Sequence, residues 1–256
     1  MKIAVAGKGG VGKTTISGTL CRIFARQGKR VVAIDADPNP NLSMVLGLKP
    51  GSPQPKPLST DILERVEDEA GNKKIIVKYP MKEVLAQYGQ LAPDDVTLLM
   101  VGKPEVAGGG CMCGSHTCVR ELIHSAMADT NDDITIVDME ASLEHMKRGT
   151  SQHVDVMLAV VEPYYRSLEA AARFADLAKD LGIKKIFVIA NKVRNEEEEK
   201  AIRQFCTKMN LNLKLIVPFD EKVSDADLHG NSLIDHFSQS LVVDSLTKLA
   251  VELSMN

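Results

Sequence analysis

Short runs of apolar residues alternate with longer amphipathic stretches along this chain. Runs typical of buried strands occupy residues 3–6, 30–35, 95–101, 134–138, 155–161, 185–190 and 213–217. Apolar residues at helical spacing follow or close several of them, over residues 15–27, 167–181 and 240–253. Strands that alternate with helices predict an α/β fold, a doubly wound and mostly parallel sheet with helices on both faces. We therefore expect a single domain over residues 1–256.

The stretch from about residue 49 to residue 93 interrupts this alternation. It is rich in proline near its start, at positions 50, 53, 55 and 57, which indicates extended and irregular backbone. Residues 61–69 have a pattern compatible with a helix, and residues 74–77 with a short strand. We expect this stretch to be an insertion between core strands and not a second domain.

A glycine-rich segment between the first strand and the first helix carries the clearest chemistry. Residues 7–14 read GKGGVGKT and fit the phosphate-binding pattern G-x-x-x-x-G-K-[ST]. The glycines allow backbone N–H groups to surround an anion, and the helix start adds partial positive charge. Lys13 is expected to reach the β- and γ-phosphates of a nucleotide, and the Thr14 hydroxyl to hold Mg²⁺. The nucleotide-binding residues predicted here are Gly7, Gly9, Gly10, Val11, Gly12, Lys13, Thr14 and Thr15.

Acidic residues stand where two of the predicted strands end. Asp35 closes the strand over residues 30–35, and Asp138 closes the strand over residues 134–138. Because the carboxyl ends of parallel strands face the ligand crevice, both carboxylates are expected near the nucleotide. Asp138 has the position of the acid that binds Mg²⁺ through water in phosphate-binding-loop enzymes.

Two cysteines in a second glycine-rich segment form another candidate site. Cys111 and Cys113 are separated by one residue, so their thiolates can bind one soft ion but cannot complete its coordination shell. A symmetric dimer would provide the second pair of thiolates. His116 and Cys118 are possible additional ligands. Thiolate chemistry alone does not decide between nickel, zinc and copper(I).

Composition limits the classes of partner and compartment. The chain has 256 residues, 44% of them hydrophobic, and a formal net charge of −3, so nucleic acid is not an expected partner. No apolar run approaches the length of a membrane span, and a signal-peptide pattern is absent, so no membrane partner is expected. Five cysteines without a regular framework, with Cys21 and Cys206 in helical patterns, favour a reducing and cytoplasmic setting.

The lysine directly after the first glycine, Lys8, makes this segment resemble the deviant P-loop ATPases. That group includes the nitrogenase iron protein, septum-site and plasmid-partition ATPases, and the arsenite pump ATPase. The resemblance implies an ATP-promoted homodimer in which Lys8 acts catalytically on the partner's nucleotide. Residues 35–41, DADPNPN, resemble the family's D-x-D-P-x-x-N segment. This implies that Asp37 positions or activates the attacking water, that Asn41 senses the γ-phosphate and that Asp35 lies near Mg²⁺.

The same resemblance extends to the base of the nucleotide. It implies that Asn191, which follows the strand over residues 185–190, recognises the adenine edge, with Lys192 beside it. Pro218, after the strand over residues 213–217, would belong to a second loop around the base.

A combination of motifs narrows the resemblance. The deviant loop with Lys8, the Cys111-x-Cys113 pair and residues 138–145, DMEASLEH, together resemble the nickel-inserting ATPases of the CooC and AcsF type. These ATPases mature carbon monoxide dehydrogenase and acetyl-CoA synthase. The resemblance implies Mg²⁺-dependent ATP hydrolysis, coupled to nickel (or zinc) binding at Cys111 and Cys113 and to insertion into a client enzyme. His145 remains an alternative metal ligand.

Two other functions remain open at this stage. A partition- or positioning-type ATPase switch would act on DNA or membrane, and it would need a basic surface or a terminal amphipathic helix. Residues 240–256 contain only Lys248 as a basic residue. An iron–sulfur electron-transfer ATPase would use cluster cysteines far apart in sequence, unlike the adjacent pair found here.

Overall fold

The computed structural model describes residues 1–37, 39–49, 51–53, 55–67, 71, 73–101, 117–118, 120–124, 134–140 and 153–255. The strands in these ranges are β1 Lys2–Gly7, β2 Val31–Asp35, β3 Leu63–Glu67, β4 Lys73–Val77, β5 Gln90–Leu91, β6 Thr97–Met100, β7 Ile134–Asp138, β8 Val156–Val161, β9 Lys185–Val193 and β10 Leu213–Pro218. The α-helices are α1 Lys13–Arg26, α2 Leu42–Val45, α3 Met81–Tyr88, α4 Tyr165–Asp180, α5 Glu196–Lys208, α6 Glu221–Leu228, α7 Leu233–His236 and α8 Leu241–Ser254. Short 3₁₀ helices lie at Thr60–Ile62 and Pro93–Asp95.

Eight strands form one sheet in the order β10-β9-β8-β1-β7-β2-β6-β5. Every pairing in it is parallel except that of the two-residue edge strand β5 with β6. The strand that leads into the glycine-rich segment, β1, lies between β7 and β8. The predicted doubly wound, mostly parallel sheet is therefore confirmed.

Helices cover both faces of this sheet, and the side chains of β1 show the two layers. Ile3 and Val5 point into one core, which includes residues of α1 and α8. Ala4 and Ala6 point into the other core, which includes residues of α3 and α4. Because successive strand residues face opposite sides, a strand covered on both faces reads as a continuous apolar run.

The stretch over residues 49–93 is more regular than its prolines suggest, and the helix predicted over residues 61–69 is wrong. Residues 63–67 form β3, which pairs antiparallel with β4 and places Glu67 opposite Lys73. Cross-strand pairing outweighs the weak helical pattern because the second strand and the oppositely charged pair stabilise the extended form. The helix α3 then packs Met81 and Val84 into the core of the main sheet.

The bounds of two other elements, β9 and α8, differ from those that the sequence pattern predicts. The strand β9 extends past residue 190 to Val193, so Asn191 and Lys192 lie within its last three residues. The closing helix α8 begins after Ser240, whose hydroxyl accepts a hydrogen bond from the backbone of Val242 and so acts as its N-cap. Among the described residues, no helix has the length and apolar character needed to cross a membrane.

Candidate nucleotide-binding site

The glycine-rich loop follows the central strand directly. It leaves β1 at Gly7 and enters α1 at Lys13. Gly12 has φ of +94°, and a Cβ built on it would lie 2.4 Å from Nδ2 of Asn191. Both the backbone conformation and the lack of space require glycine here. The loop is therefore shaped by its own sequence and by the neighbouring strand β9.

Two side chains at the end of β9 bond to consecutive carbonyl groups of this loop. Nδ2 of the buried Asn191 donates to the Val11 carbonyl at 2.8 Å. Nζ of Lys192 donates to the Gly10 carbonyl at 2.6 Å. The Asn191 amide expected at the adenine edge is thus bonded to the loop in this structure, and its adenine contact stays a prediction.

The loop lysine is enclosed by the site. The Lys13 side chain is buried, and its Nζ donates to the Lys8 carbonyl at 3.4 Å. Burial lowers the Lys13 pKa, while the negative charges of Asp138, Asp37 and Glu140 oppose that shift. These three carboxyl groups therefore lie within electrostatic range of the group expected to meet the phosphates.

Asp138 is bound by two hydroxyls of α1. Thr14 Oγ1 donates to Oδ2 of Asp138 at 2.6 Å, and Ser17 Oγ donates to Oδ1 at 3.1 Å. Burial raises the pKa of Asp138 to about 7, although these two hydrogen bonds favour its charged form. Ser17 was missed by the sequence analysis, and its spacing of three residues from Thr14 on one helix face could have indicated it.

Asp35 lies beside Asp138, because β2 and β7 pair in parallel with these two residues in register. Its carboxylate accepts hydrogen bonds from the backbone N–H groups of Leu42, at 3.0 Å, and Asp37, at 3.2 Å. Burial raises its pKa to about 6, against the effect of these bonds. Asp35 therefore fixes both ends of the acidic segment, and its expected closeness to Mg²⁺ remains a prediction.

The segment after β2 holds its own polar side chains locally. Asp37 is half-buried and accepts a hydrogen bond from the Asn39 backbone at 2.8 Å. Asn41 is exposed, and its Nδ2 donates to the Asn39 carbonyl at 2.9 Å. Glu140, two residues beyond β7, is close enough to Asp37 and Lys13 for their charges to act on its pKa, which burial raises. Glu140 is thus a further charged residue of the site, and the sequence motifs by themselves do not identify it.

Lys8 lies on the open side of the loop. It is exposed and, with Gly9, lines a cleft of about 410 Å³ that also includes residues 162 and 164–167. Two tyrosines of this cleft, Tyr164 and Tyr165, are also exposed. The side chain of Lys8 is therefore available on a surface that carries large aromatic groups.

The predicted base-binding residues meet on the other side of the loop. Pro218 and Thr15 line one small pocket together with Asn191, Lys192 and residues 219, 220, 223 and 224. The Arg194 guanidinium lies 3.9 Å from the centroid of the ring of Phe219, one of the residues that line this pocket. The strand ends thus bring together residues that are some 200 positions apart in the chain.

The predicted metal-binding cysteines Cys111 and Cys113, with His116 and His145, lie outside the described residues. Cys118 is described: it is buried, its thiol is 3.9 Å from the Ser59 carbonyl, and burial raises its pKa to about 11. Cys21 and Cys206 are buried as expected, and burial raises the pKa of each thiol. Within the described ranges, no group of three or more potential ligands among His, Cys, Asp and Glu is arranged to hold a metal ion.

The more spacious cleft of about 580 Å³ lies at the opposite, amino end of the strands, between Lys29, Asp155 and Lys184. It contains neither a glycine-rich loop nor the carboxyl ends of the strands, which are where phosphate ligands bind in open α/β sheets. The carboxyl edge therefore remains the candidate site.

Comparison with known proteins agrees with this geometry. Residues 2–234 match the CobQ/CobB/MinD/ParA nucleotide binding domain family. An uncharacterized ATP-binding protein of Methanocaldococcus jannaschii is 39% identical over 237 residues, 91% of each chain. The carbon monoxide dehydrogenase accessory protein CooC of Rhodospirillum rubrum is 36% identical over 239 residues, 92% of this chain and 90% of that protein.

The fold is similar to that of a solved structure. The septum site-determining protein MinD of Pyrococcus horikoshii, in complex with Mg-ADP, superimposes with a TM-score of 0.72 at 21% identity, over 99% of this chain and 96% of that one. Because the family match spans most of the chain and includes every residue of the loop, the chain belongs to the CobQ/CobB/MinD/ParA nucleotide-binding domain family.

Proposed function

We propose that this protein is a Mg²⁺-dependent ATPase that carries nickel to a client enzyme. The observation that carries the ATPase part is the 2.6 Å contact between Thr14 and Asp138 beside the buried Lys13. A hydroxyl and a carboxylate at the end of a strand are the hard oxygen donors that suit Mg²⁺. The Mg-ADP complex of the Pyrococcus relative supports the same ligand.

The individual roles follow from charge and position. Lys13 and backbone N–H groups of residues 9–15 would neutralise the phosphates, while Thr14 would hold Mg²⁺ directly and Asp138 through water. Asp37 would orient the attacking water and Asn41 would contact the γ-phosphate. The base would lie between Asn191, Lys192 and Pro218, which line the small pocket beside the loop.

The active form is proposed to be an ATP-promoted homodimer. Lys8 is exposed on the open side of the loop, so its side chain is available to a second protomer. A cation supplied from the partner would neutralise charge in the transition state, as an arginine finger does. The exposed Tyr164 and Tyr165 beside it give that surface the aromatic character common at protein interfaces.

Nickel is proposed as the cargo, held by Cys111 and Cys113 from both protomers. The relative CooC is an accessory protein of carbon monoxide dehydrogenase, and it is similar to this chain over nine-tenths of its length. The burial and raised pKa of Cys118 support a site made by the Cys-x-Cys pairs alone, because a metal ligand must be a thiolate. We propose carbon monoxide dehydrogenase or acetyl-CoA synthase as client, in the cytoplasm, where thiols stay reduced.

A positioning role at a membrane is less well supported. The apolar residues of α8, which include Val242, Leu246 and Leu249, are buried against the domain. That helix would have to leave the core to serve as an amphipathic membrane anchor.

The proposed function is tested by activation of a client. Nickel-free carbon monoxide dehydrogenase is incubated with limiting nickel and this protein, with ATP or with ADP, and its activity is measured over time. Activation that needs ATP, Lys13 and the Cys111–Cys113 pair supports the proposal. Equal activation by nickel alone and by nickel with this protein would refute the delivery role.

A further inference from the structure

An ion pair lies outside the roles assigned so far. Nζ of Lys192 is 2.6 Å from the Gly10 carbonyl and also 2.7 Å from Oε1 of Glu162. Glu162 comes directly after β8, and β8 and β9 are neighbouring parallel strands. One lysine thus joins the ends of two strands to the phosphate-binding loop.

Both members of the pair are restrained. The backbone N–H of Glu162 donates to the hydroxyl of the buried Ser167 at 3.0 Å. Lys192 has φ of +60°, a left-handed conformation that side-chain-bearing residues seldom adopt, and it lies where β9 shifts its register against β10.

The carbonyl group to which Lys192 donates belongs to Gly10, a residue with a flexible backbone. Gly10 has φ of +82° and no side chain, so its backbone rotates easily, and the N–H of the same peptide unit, on Val11, makes a long hydrogen bond of 3.5 Å to the Lys8 carbonyl. Because the peptide group is planar, fixing the direction of a carbonyl also fixes the direction of the next N–H. Hydrogen bonds from an ammonium that is itself paired with a carboxylate are among the stronger ones available.

We propose that Glu162 is a positioning residue, which holds Lys192 on the Gly10 carbonyl and so keeps the loop in its nucleotide-binding conformation. This inference rests on the proposed nucleotide-binding function, and it gives Lys192 a task on the loop itself. When the pair is broken, the loop opens more often and bound nucleotide leaves sooner. The effect then lies in the dissociation rate and affinity of the nucleotide.

The test measures release of a fluorescent ADP analogue with Mg²⁺ by stopped-flow displacement. Glu162→Gln, which keeps the shape and removes the charge, should release it about tenfold faster, the scale of one charge-assisted hydrogen bond. Lys192→Met should release it at least as fast, because the Gly10 carbonyl and the Glu162 carboxylate then both lose their donor. Lys214→Met breaks a different lysine–glutamate pair, with Glu252, and is the matched control.

The double variant separates positioning from a general loss of structure. If Glu162 acts through Lys192, adding Glu162→Gln to Lys192→Met should change the rate by less than twofold. Independent effects that multiply, or release from Glu162→Gln at the wild-type rate, would overturn the inference. Failure of the wild-type protein to bind the analogue at all would instead refute the nucleotide-binding function on which the inference rests.

Discussion

The Thr14 hydroxyl and the Asp138 carboxylate are 2.6 Å apart, although 124 positions separate them in the sequence. Parallel pairing of β1 with β7 brings them together, since β1 leads into the loop before Thr14 and β7 ends at Asp138. The contact joins the segment that follows the phosphate-binding loop to the buried acid. Substitution of Asp138 therefore tests how the charge of this site affects stability at different pH values.

Replacing Asp138 by asparagine should stabilise the metal-free protein at pH 8. Folding raises the Asp138 pKa from 3.8 to about 7, so the native state binds more protons than the unfolded state between these values. Stability contributed by this group is therefore lost as the pH rises through that window. Without Mg²⁺, we expect the free energy of unfolding of Asp138→Asn at pH 8 to be roughly 1–3 kcal/mol higher than that of the wild type.

Denaturant unfolding at pH 8 and near pH 4.5 measures this difference, which should shrink at the lower pH. Exposed Asp180→Asn is the control and should change little at either pH. Asp35, with a pKa raised to about 6, should leave part of the pH dependence in place. If the stability of Asp138→Asn depended on pH as strongly as that of the wild type, the Asp138 carboxyl would not be the source of the pH dependence.

Lys13 and Asp37 should separate binding from turnover. Lys13→Ala should lose nucleotide binding, because the buried ammonium is the main partner of the phosphate charge. Asp37→Ala should bind ATP but hydrolyse it at least a hundredfold more slowly, the scale of a lost general base. Calorimetric binding and phosphate release in the same preparations measure both. Hydrolysis by Asp37→Ala at the wild-type rate would remove this residue from the mechanism.

Lys8 should act only across a dimer. Lys8→Ala alone should bind ATP with little loss and fail to hydrolyse it, because its side chain is exposed on the open side of the loop. A mixture of Lys8→Ala and Asp37→Ala protein should recover part of the activity, since each mixed dimer has one intact composite site. Phosphate release from the mixture measures this. Mixed dimers demonstrated by mass and still inactive would contradict action in trans.

Cys111 and Cys113 should bind one nickel ion per dimer. Each chain offers two thiolates, and a soft divalent ion is satisfied by about four ligands. Cys111→Ser and Cys113→Ser should each abolish binding and its sulfur-to-metal absorption, and affinity should fall below about pH 6 through proton competition. Cys118→Ser is the matched control, because the Cys118 thiol is buried and its pKa is raised to about 11. An endpoint of one ion per monomer would rule out the shared site.

Arg22, which lies on helix α1, should contribute strongly to the stability of the fold. Its buried guanidinium binds Asp94, Asp235 and the Leu46 carbonyl, so it connects α1 with the segment after β2 and with α7. Arg22→Met should lower the free energy of unfolding by about 2–4 kcal/mol, because it leaves a buried carbonyl unbonded and weakens two carboxylate contacts. Urea denaturation measures the loss. Arg203→Met, which breaks only the exposed pair with Glu199, should cost less than about 1 kcal/mol.

The alternation of strands and helices, the loop at residues 7–14 and the acids at the ends of β2 and β7 can all be predicted from the amino-acid sequence. These features are local: apolar periodicity reports burial, and a glycine-rich turn before a helix is defined within fifteen residues. The hairpin β3–β4 was not visible in this way, because a strand in residues 63–67 becomes favourable only when a second strand is available to pair with it.

The distant residues that meet at the loop can be identified only in the folded domain. The parallel order β9-β8-β1 brings Asn191 and Lys192 to the carbonyls of Val11 and Gly10, and Glu162 to Lys192, although 150 or more residues separate the loop from all three. It also buries Cys118 against Ser59 and so raises its pKa, which no spacing of cysteines reveals. Contacts of this kind depend on the order of strands in the sheet, and strand order is fixed by packing over the whole domain and not by any one segment.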